Sequence, residues 1–214
     1  MTEVLFSGGP IGVAILGGLV ALSLAMVYLV VDLFLTLRRD VVQPPTLTEE
    51  VRQALIAGKL AEADAATKRH PSVAATVTAA GMRELEFGYA AVEKAVEDAL
   101  GSESARLGRR TEYLALIAAV APMLGLLGTV TGMILAFGEV AASDGDAGAG
   151  ELARGIYQAL VTTVGGLIVA IPATAGYAVF RNRIEGLLAD VAGETQIALA
   201  PVKRKLGGRG KAGH

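Results

Sequence analysis

The stretch Ala121–Met133, APMLGLLGTVTGM, lies inside a long uncharged run yet carries three glycines, a proline and two threonines. Crossing a bilayer demands only apolar residues, so these small and polar positions ask for a second explanation. The run around it, Tyr113–Phe137, has no charged residue, and neither has Pro10–Val31 or Gly155–Phe180. Each exceeds the roughly 20 residues that cross a ~30 Å hydrocarbon core as a helix. The chain is therefore read as an all-α membrane protein with three transmembrane helices. Composition agrees, since 53% of the 214 residues are hydrophobic and only 19% are charged, more apolar than an ordinary soluble domain.

Residues 1–9 contain one Glu and no Lys or Arg, so the first run lacks the basic start of a signal peptide and is read as a retained span. Of 19 Lys and Arg, 18 fall between residues 32 and 112 or after 180, leaving only Arg154 between the second and third runs. The positive-inside rule then puts both basic segments in the cytoplasm. The expected organisation is an outside amino terminus (1–9), a first span (10–34) and a cytoplasmic helical domain (35–112). A second span (113–140), an outside loop (141–154), a third span (155–180) and a cytoplasmic carboxyl-terminal helix and tail (181–214) follow. The net charge of −2 argues against nucleic-acid binding. Cys is absent, and His70 and His214 are far apart, so neither a disulfide, a metal site nor a cofactor is expected.

Within the first cytoplasmic segment, Pro44 and Pro45 mark a boundary. TLTEEVRQALIAGK reads as a helix with Thr48 at its cap, Glu49 and Glu50 at the positive end of the dipole and Gly58 at its stop. LAEADAATKRH is a second short helix ended by Pro71. From Ser72 to Val120 no breaker stronger than isolated glycines occurs, and the pattern predicts a long helix running on into the second span. Apolar residues at Ile184, Leu187, Leu188, Val191 and Ile197 predict that the third span continues as a cytoplasmic helix. The Gly-rich tail GGRGKAGH is expected to be disordered.

On a helical projection Gly155, Ala159, Thr162, Thr163, Gly166, Ala170, Ala173 and Thr174 share one face of the third span. Leu160, Val164, Leu167, Ile168 and Ile171 lie on the other. The second span divides likewise: Ala121, Gly125, Gly128, Gly132 and Ala136 make a small ridge with Thr129 beside it. Thr131 points some 200° away, and Pro122 marks a bend. Small faces let membrane helices approach closely. Thr129, Thr131, Thr162, Thr163, Thr174 and Gln158 add polar side chains that should face another helix or a hydrated cavity. No carboxylate, Lys or Arg lies in the central parts of either span, so an ion-moving role needs a protonatable group from elsewhere. No nucleophile–base pair is apparent, and GLLGTVTG lacks the Lys of a phosphate loop, so an enzyme is not expected.

Taken together, APMLGLLGTVTGMILAF and ARGIYQALVTTVGGLIVAIPATAGYAVFRNRI resemble the MotA/TolQ/ExbB proton-channel family, nearest its ExbB and TolQ branches. The stretch ALIAGKLAEADAATKRH resembles that family's cytoplasmic helical hairpin. The resemblance implies an inner-membrane homopentamer around the single-span helices of two ExbD- or TolR-like partners, which carry the protonatable Asp. It also implies a TonB- or TolA-like protein that carries work, driven by the proton gradient, to the envelope. Carried onto this chain, the pore-lining residues are Thr129 and Thr163, with Thr162 and Gln158 as neighbours. Gly125, Gly128, Gly132, Gly166 and Ala170 serve helix packing. ExbB and TolQ commonly have Glu where this chain has Gln158, an amide that cannot titrate. A sodium-driven stator-type subunit and a passive oligomeric scaffold stand as alternatives.

Overall fold

The computed structural model describes residues 9–142 and 149–209. Residues 1–8 of the expected outside terminus, 143–148 of the 141–154 loop and 210–214 of the tail lie outside them. Seven α-helices make up nearly all of the described chain: α1 (Gly9–Thr36), α2 (Arg39–Val42), α3 (Leu47–Ile56), α4 (Leu60–Arg69), α5 (Val73–Arg83), α6 (Tyr89–Ala142) and α7 (Ala149–Arg209). A single 3-10 turn, Leu85–Phe87, stands between α5 and α6, and the described residues contain no strand. Three of the helices, α1, α6 and α7, are long and apolar enough to cross a membrane.

The chain divides into two compact units, Met1–Asp32 with Arg110–Val179, and Leu33–Arg109 with Phe180–His214. In the first, Ile15, Leu19, Ile117, Ala121, Val169, Ala170 and Ala173 form a buried cluster joining α1, α6 and α7. Outward-facing Leu160, Val164, Leu167, Ile168 and Ile171 are all exposed, as a lipid- or partner-facing side requires. The small ridge of α6 meets the small face of α7. A methyl group added to Gly166 would lie 2.6 Å from the Ala121 carbonyl oxygen, and one added to Gly125 would lie 2.9 Å from the Thr162 carbonyl. One added to Gly132 would come within 2.9 Å of the Ala159 Cβ. These are backbone-to-backbone approaches that only a missing side chain permits. Apolar lipid supplies no hydrophobic drive between spans, so such shape fit and hydrogen bonding must hold them together.

The second unit is built by amphipathic burial. Leu47, Val51, Ala54 and Leu55 of α3 and Ala63, Ala66 and Thr67 of α4 point inward. Gly58, at φ +73°, turns the chain between these two helices. Arg69 of α4 donates to Glu50 of α3 at 2.9 Å. Val73, Val77, Thr78 and Gly81 of α5 pack inward as well, and a methyl group on Gly81 would meet Val96 and Leu199 at 2.8 and 2.9 Å. The hydroxyls of Thr78 and Thr195 lie 3.4 Å apart, both buried. The amphipathic continuation of α7 buries Ile184, Leu187 and Val191 and reaches Lys203, whose ammonium stands 5.0 Å from the Tyr89 ring centroid. Arg183 donates to the Leu37 carbonyl at 2.9 Å, satisfying an acceptor just past the end of α1.

Three expectations change. Thr48 lies inside α3, because the Thr46 carbonyl already accepts the Glu50 N–H at 3.0 Å and makes Thr46 the cap. The predicted continuous helix from Ser72 is broken at Glu84–Gly88, where Gly88 adopts φ +95° and ψ 169°. Periodicity could not reveal this break, since the apolar pattern resumes in register on its far side. Pro122 lies inside the continuous α6. The tail is helical as far as Arg209, beyond the point where glycines were expected to end it.

Gly88→Ala should lower thermal stability by about 1–3 kcal/mol, because that backbone region is essentially closed to other residues; the loss is checked by the melting of the chain's helical signal in detergent. Gly166→Ala should cost about 1–3 kcal/mol by overpacking. Gly138→Ala, whose added methyl meets nothing within 4 Å, should be neutral or stabilising in the same assay.

Candidate functional site

Helical geometry places each threonine of the site one turn from a carbonyl it can reach. Thr129 stands four residues after Gly125 on α6 and reaches its carbonyl, and Thr162 stands three residues after Ala159 on α7 and reaches that one. Ser and Thr in a helix commonly bond back to such carbonyls. The close approach at Gly125 and Gly128 adds a second helix's carbonyls to the same set. A methyl group on Gly128 would run into the Thr162 side chain, 2.7 Å from its Cβ, so Gly128 is the socket into which Thr162 fits.

The outcome is a cluster of five oxygens between α6 and α7, all in the first unit. Thr129 Oγ1 is 3.2 Å from the Gly125 carbonyl and 3.1 Å from the Ala159 carbonyl, and it touches Thr163 Oγ1. Thr163 Oγ1 lies within donating distance of the Gly125 carbonyl at 3.2 Å. Thr162 Oγ1 reaches the Ala159 carbonyl at 2.7 Å and the Gly125 carbonyl at 3.2 Å. All three threonines are half-buried. Gln158, also half-buried, precedes Ala159 on the same helix.

The other polar positions lie apart. Thr131 donates to the Leu127 carbonyl of its own helix at 2.8 Å, and Thr174 to the Ala170 carbonyl at 2.8 Å. Gly125 and Gly128 are buried at the helix–helix contact, Gly132 meets Ala159, and Gly166 and Ala170 are buried opposite α6. Sequence reasoning had assigned Gly125 to packing alone. Its carbonyl is an acceptor within reach of all three hydroxyls, and the Ala159 carbonyl is a second shared acceptor. The spacing of Gly125 to Thr129 and of Ala159 to Thr162, one helical turn each, was the available signal.

The runs Tyr113–Phe137 and Gly155–Phe180 that hold the cluster carry no charge, and charged residues flank them. Arg110 of α6 donates to Asp32 of α1 at 2.9 Å, an ion pair joining the ends of two apolar runs. Glu139 and Arg154 stand toward the opposite ends of α6 and α7. Between them the five oxygens can hold water, a cation or a polar side chain, but no member of the cluster titrates near neutral pH. Among the described residues, no three of His, Cys, Asp or Glu are grouped so as to hold a metal ion.

The comparisons with known proteins fall on the same stretch. The chain is 49% identical to the biopolymer transport protein exbB1 of Vibrio cholerae over 63 residues, 29% of this chain and 28% of that protein. It is 38% identical to the biopolymer transport protein ExbB of Salmonella typhimurium over 91 residues, 41% and 37% of the two chains. Identity to the biopolymer transport protein ExbB of Pseudomonas putida is 29% over 173 residues, 77% of this chain and 52% of that one. The chain thus spans about half, or less, of the length of these relatives. Residues 69–192, more than half of the sequence and including both helices of the oxygen cluster, match the MotA/TolQ/ExbB proton channel family, and the chain belongs to that family.

Proposed function

We propose that this protein is the ExbB/TolQ-like subunit of an ion-driven motor in the bacterial inner membrane. Five copies surround the spans of an ExbD/TolR-like partner, in two copies, and couple the proton motive force to work on the cell envelope, such as TonB-dependent transport. A TonB- or TolA-like protein receives that work. The amino terminus and the loop between α6 and α7 lie on the periplasmic side, and the hairpin α3–α4 and the end of α7 lie in the cytoplasm. Family membership and similarity to proteins named for biopolymer transport support this reading.

The observation that carries it is the clustering of Thr129, Thr162 and Thr163 between the small faces of two uncharged runs, Tyr113–Phe137 and Gly155–Phe180. A group of hydroxyls in an otherwise apolar layer is costly in lipid. It is useful where an ion or a protonatable side chain passes. In the proposed roles Thr129 and Thr163 line the path, with Thr162 and Gln158 beside them. The glycine ridge keeps steric barriers low for a turning central helix. The titrating group comes from the partner.

Sodium is the second reading, favoured by a specific feature. Five neutral oxygens converge where Gln158 replaces a possible carboxyl, and hydroxyl and carbonyl oxygens suit a hard cation. Ion flux through the reconstituted complex under a pure proton gradient, against a pure sodium gradient, separates the two. Flux driven by sodium alone would replace the proton reading.

Thr129→Val with Thr163→Val should cut gradient-driven activity by about tenfold or more, the loss expected when at least one net hydrogen bond to the moving group disappears. The complex should still assemble at wild-type yield. Undiminished activity in an assembled double variant would leave only a passive scaffold. Gln158→Glu should introduce a new ionisation into the pH profile of transport while leaving assembly intact.

A further inference from the structure

Arginines come in pairs where the three uncharged runs end: Arg38 with Arg39 after the first, Arg109 with Arg110 before the second, and Arg181 with Arg183 after the third. One member of each pair is committed to an acid. Arg39 meets Asp190 at 3.4 Å, Arg110 meets Asp32 at 2.9 Å, and Arg181 meets Glu185 at 3.3 Å. The other member is not. Among the described residues, no carboxylate lies within ion-pair distance of Arg38, Arg109 or Arg183, and all three are exposed. Asp40 and Glu112 are close in sequence to Arg38 and Arg109 yet pair with neither. Arg183 spends only its Nε, on the Leu37 carbonyl at 2.9 Å. Its two terminal nitrogens stay open next to the backbone of Arg38, the residue that follows Leu37.

From this pattern we infer that Arg38, Arg109 and Arg183 hold the phosphates of anionic phospholipids at the ends of the spans, whereas Arg39, Arg110 and Arg181 serve the protein's own acids. A guanidinium fork meets two phosphate oxygens at once and is more weakly hydrated than an ammonium. An arginine paired within the protein has already used that fork, and an open one keeps it for a phosphate. Position selects a lipid over a free anion. Each open arginine stands within a few residues of an uncharged run, and Phe34 and Leu35, about one turn before Arg38, are 62% and 53% exposed. Their apolar surface gives acyl chains a wall that a free phosphate has no use for. Attraction to an anionic lipid surface fades within a Debye length, about 8–10 Å, so it acts on arginines at the span ends and not on those farther along the chain. The inference goes beyond the motor reading and holds for the chain whatever ion drives it.

The test titrates the detergent-solubilised full chain with a fluorescent phosphatidylglycerol and competes it with unlabelled phosphatidylglycerol, phosphatidylcholine or glycerol phosphate. Phosphatidylglycerol should outbind phosphatidylcholine by about fivefold for each arginine engaged, the worth of one basic residue at an anionic surface. Arg38→Gln with Arg109→Gln should lower the affinity for phosphatidylglycerol by about 25-fold on the same scale. Arg39→Gln with Arg181→Gln removes the same charge and should leave that affinity nearly unchanged. Arg38→Lys with Arg109→Lys should keep most of it, which separates lost binding from lost folding. An equal loss in the two Gln pairs would reduce the effect to net charge and overturn the inference. So would a Lys pair that binds no better than the Gln pair at the same positions, or a chain that binds phosphatidylcholine as tightly as phosphatidylglycerol. Displacement of the lipid by glycerol phosphate at equal concentration would overturn it too, by making the arginines a site for free anions.

Discussion

The close backbone approach of α6 and α7 is the constraint on which the first unit depends. At Gly166 and Gly125 a single added methyl would press on the opposite helix's carbonyl. That nearness lets a threonine hydroxyl satisfy a carbonyl on the neighbouring helix as well as on its own. Water and the hydrophobic effect, which organise soluble cores, give little help between two apolar helices in lipid. Packing shape and the shared carbonyls of Gly125 and Ala159 take their place. The small residues and the threonines are thus one device: the first kind permits the approach, and the second uses it.

The second unit follows ordinary soluble physics. Its helices carry one apolar face each, its core consists of branched aliphatics and alanines, and its surface ion pairs, such as Lys94 with Asp98 at 2.8 Å, add little to stability in water. Arg52 and Gln53 hold the exposed Glu49 carboxyl down at about 2, so that local pairing persists at ordinary acid pH and is lost only as pH falls from the usual carboxylate range toward that value. The buried Thr78–Thr195 contact is polar amid apolar neighbours, and such pairs favour one register over its alternatives. Both units are served by α6 and α7, each a single unbroken helix that changes environment along its length. Each carries an evenly mixed small and bulky surface in one unit and an amphipathic one in the other.

Membership in the MotA/TolQ/ExbB proton channel family fits this division. The matched residues 69–192 begin at the end of the α3–α4 hairpin and run beyond the third apolar stretch, so they include every member of the oxygen cluster. The uncharged layer around that cluster, with Gln158 in place of an acid, means that this chain brings hydrogen-bonding oxygens to the site and no titrating group.

Much was legible in the sequence because the governing signals are local and periodic. Three uncharged runs of sufficient length announce three apolar helices whatever packs around them. The three-and-four spacing of Gly125, Gly128, Gly132 and Ala159, Thr163, Gly166 announces two small faces by helical geometry alone. The break at Gly88 was not legible, since glycine is common in both helical and turn settings here and only the folded backbone shows which. Nor could the sequence reveal that the hydroxyls of Thr129, Thr162 and Thr163 all come within reach of the Gly125 carbonyl. That depends on which face of α6 meets which face of α7 and at what height, and these are long-range choices set by packing. Sequence by itself determined the helices and their faces, because each follows from neighbours a few residues apart. Tertiary structure alone decided the oxygen cluster, because its members are some 30 residues apart and meet only when two backbones close to glycine distance.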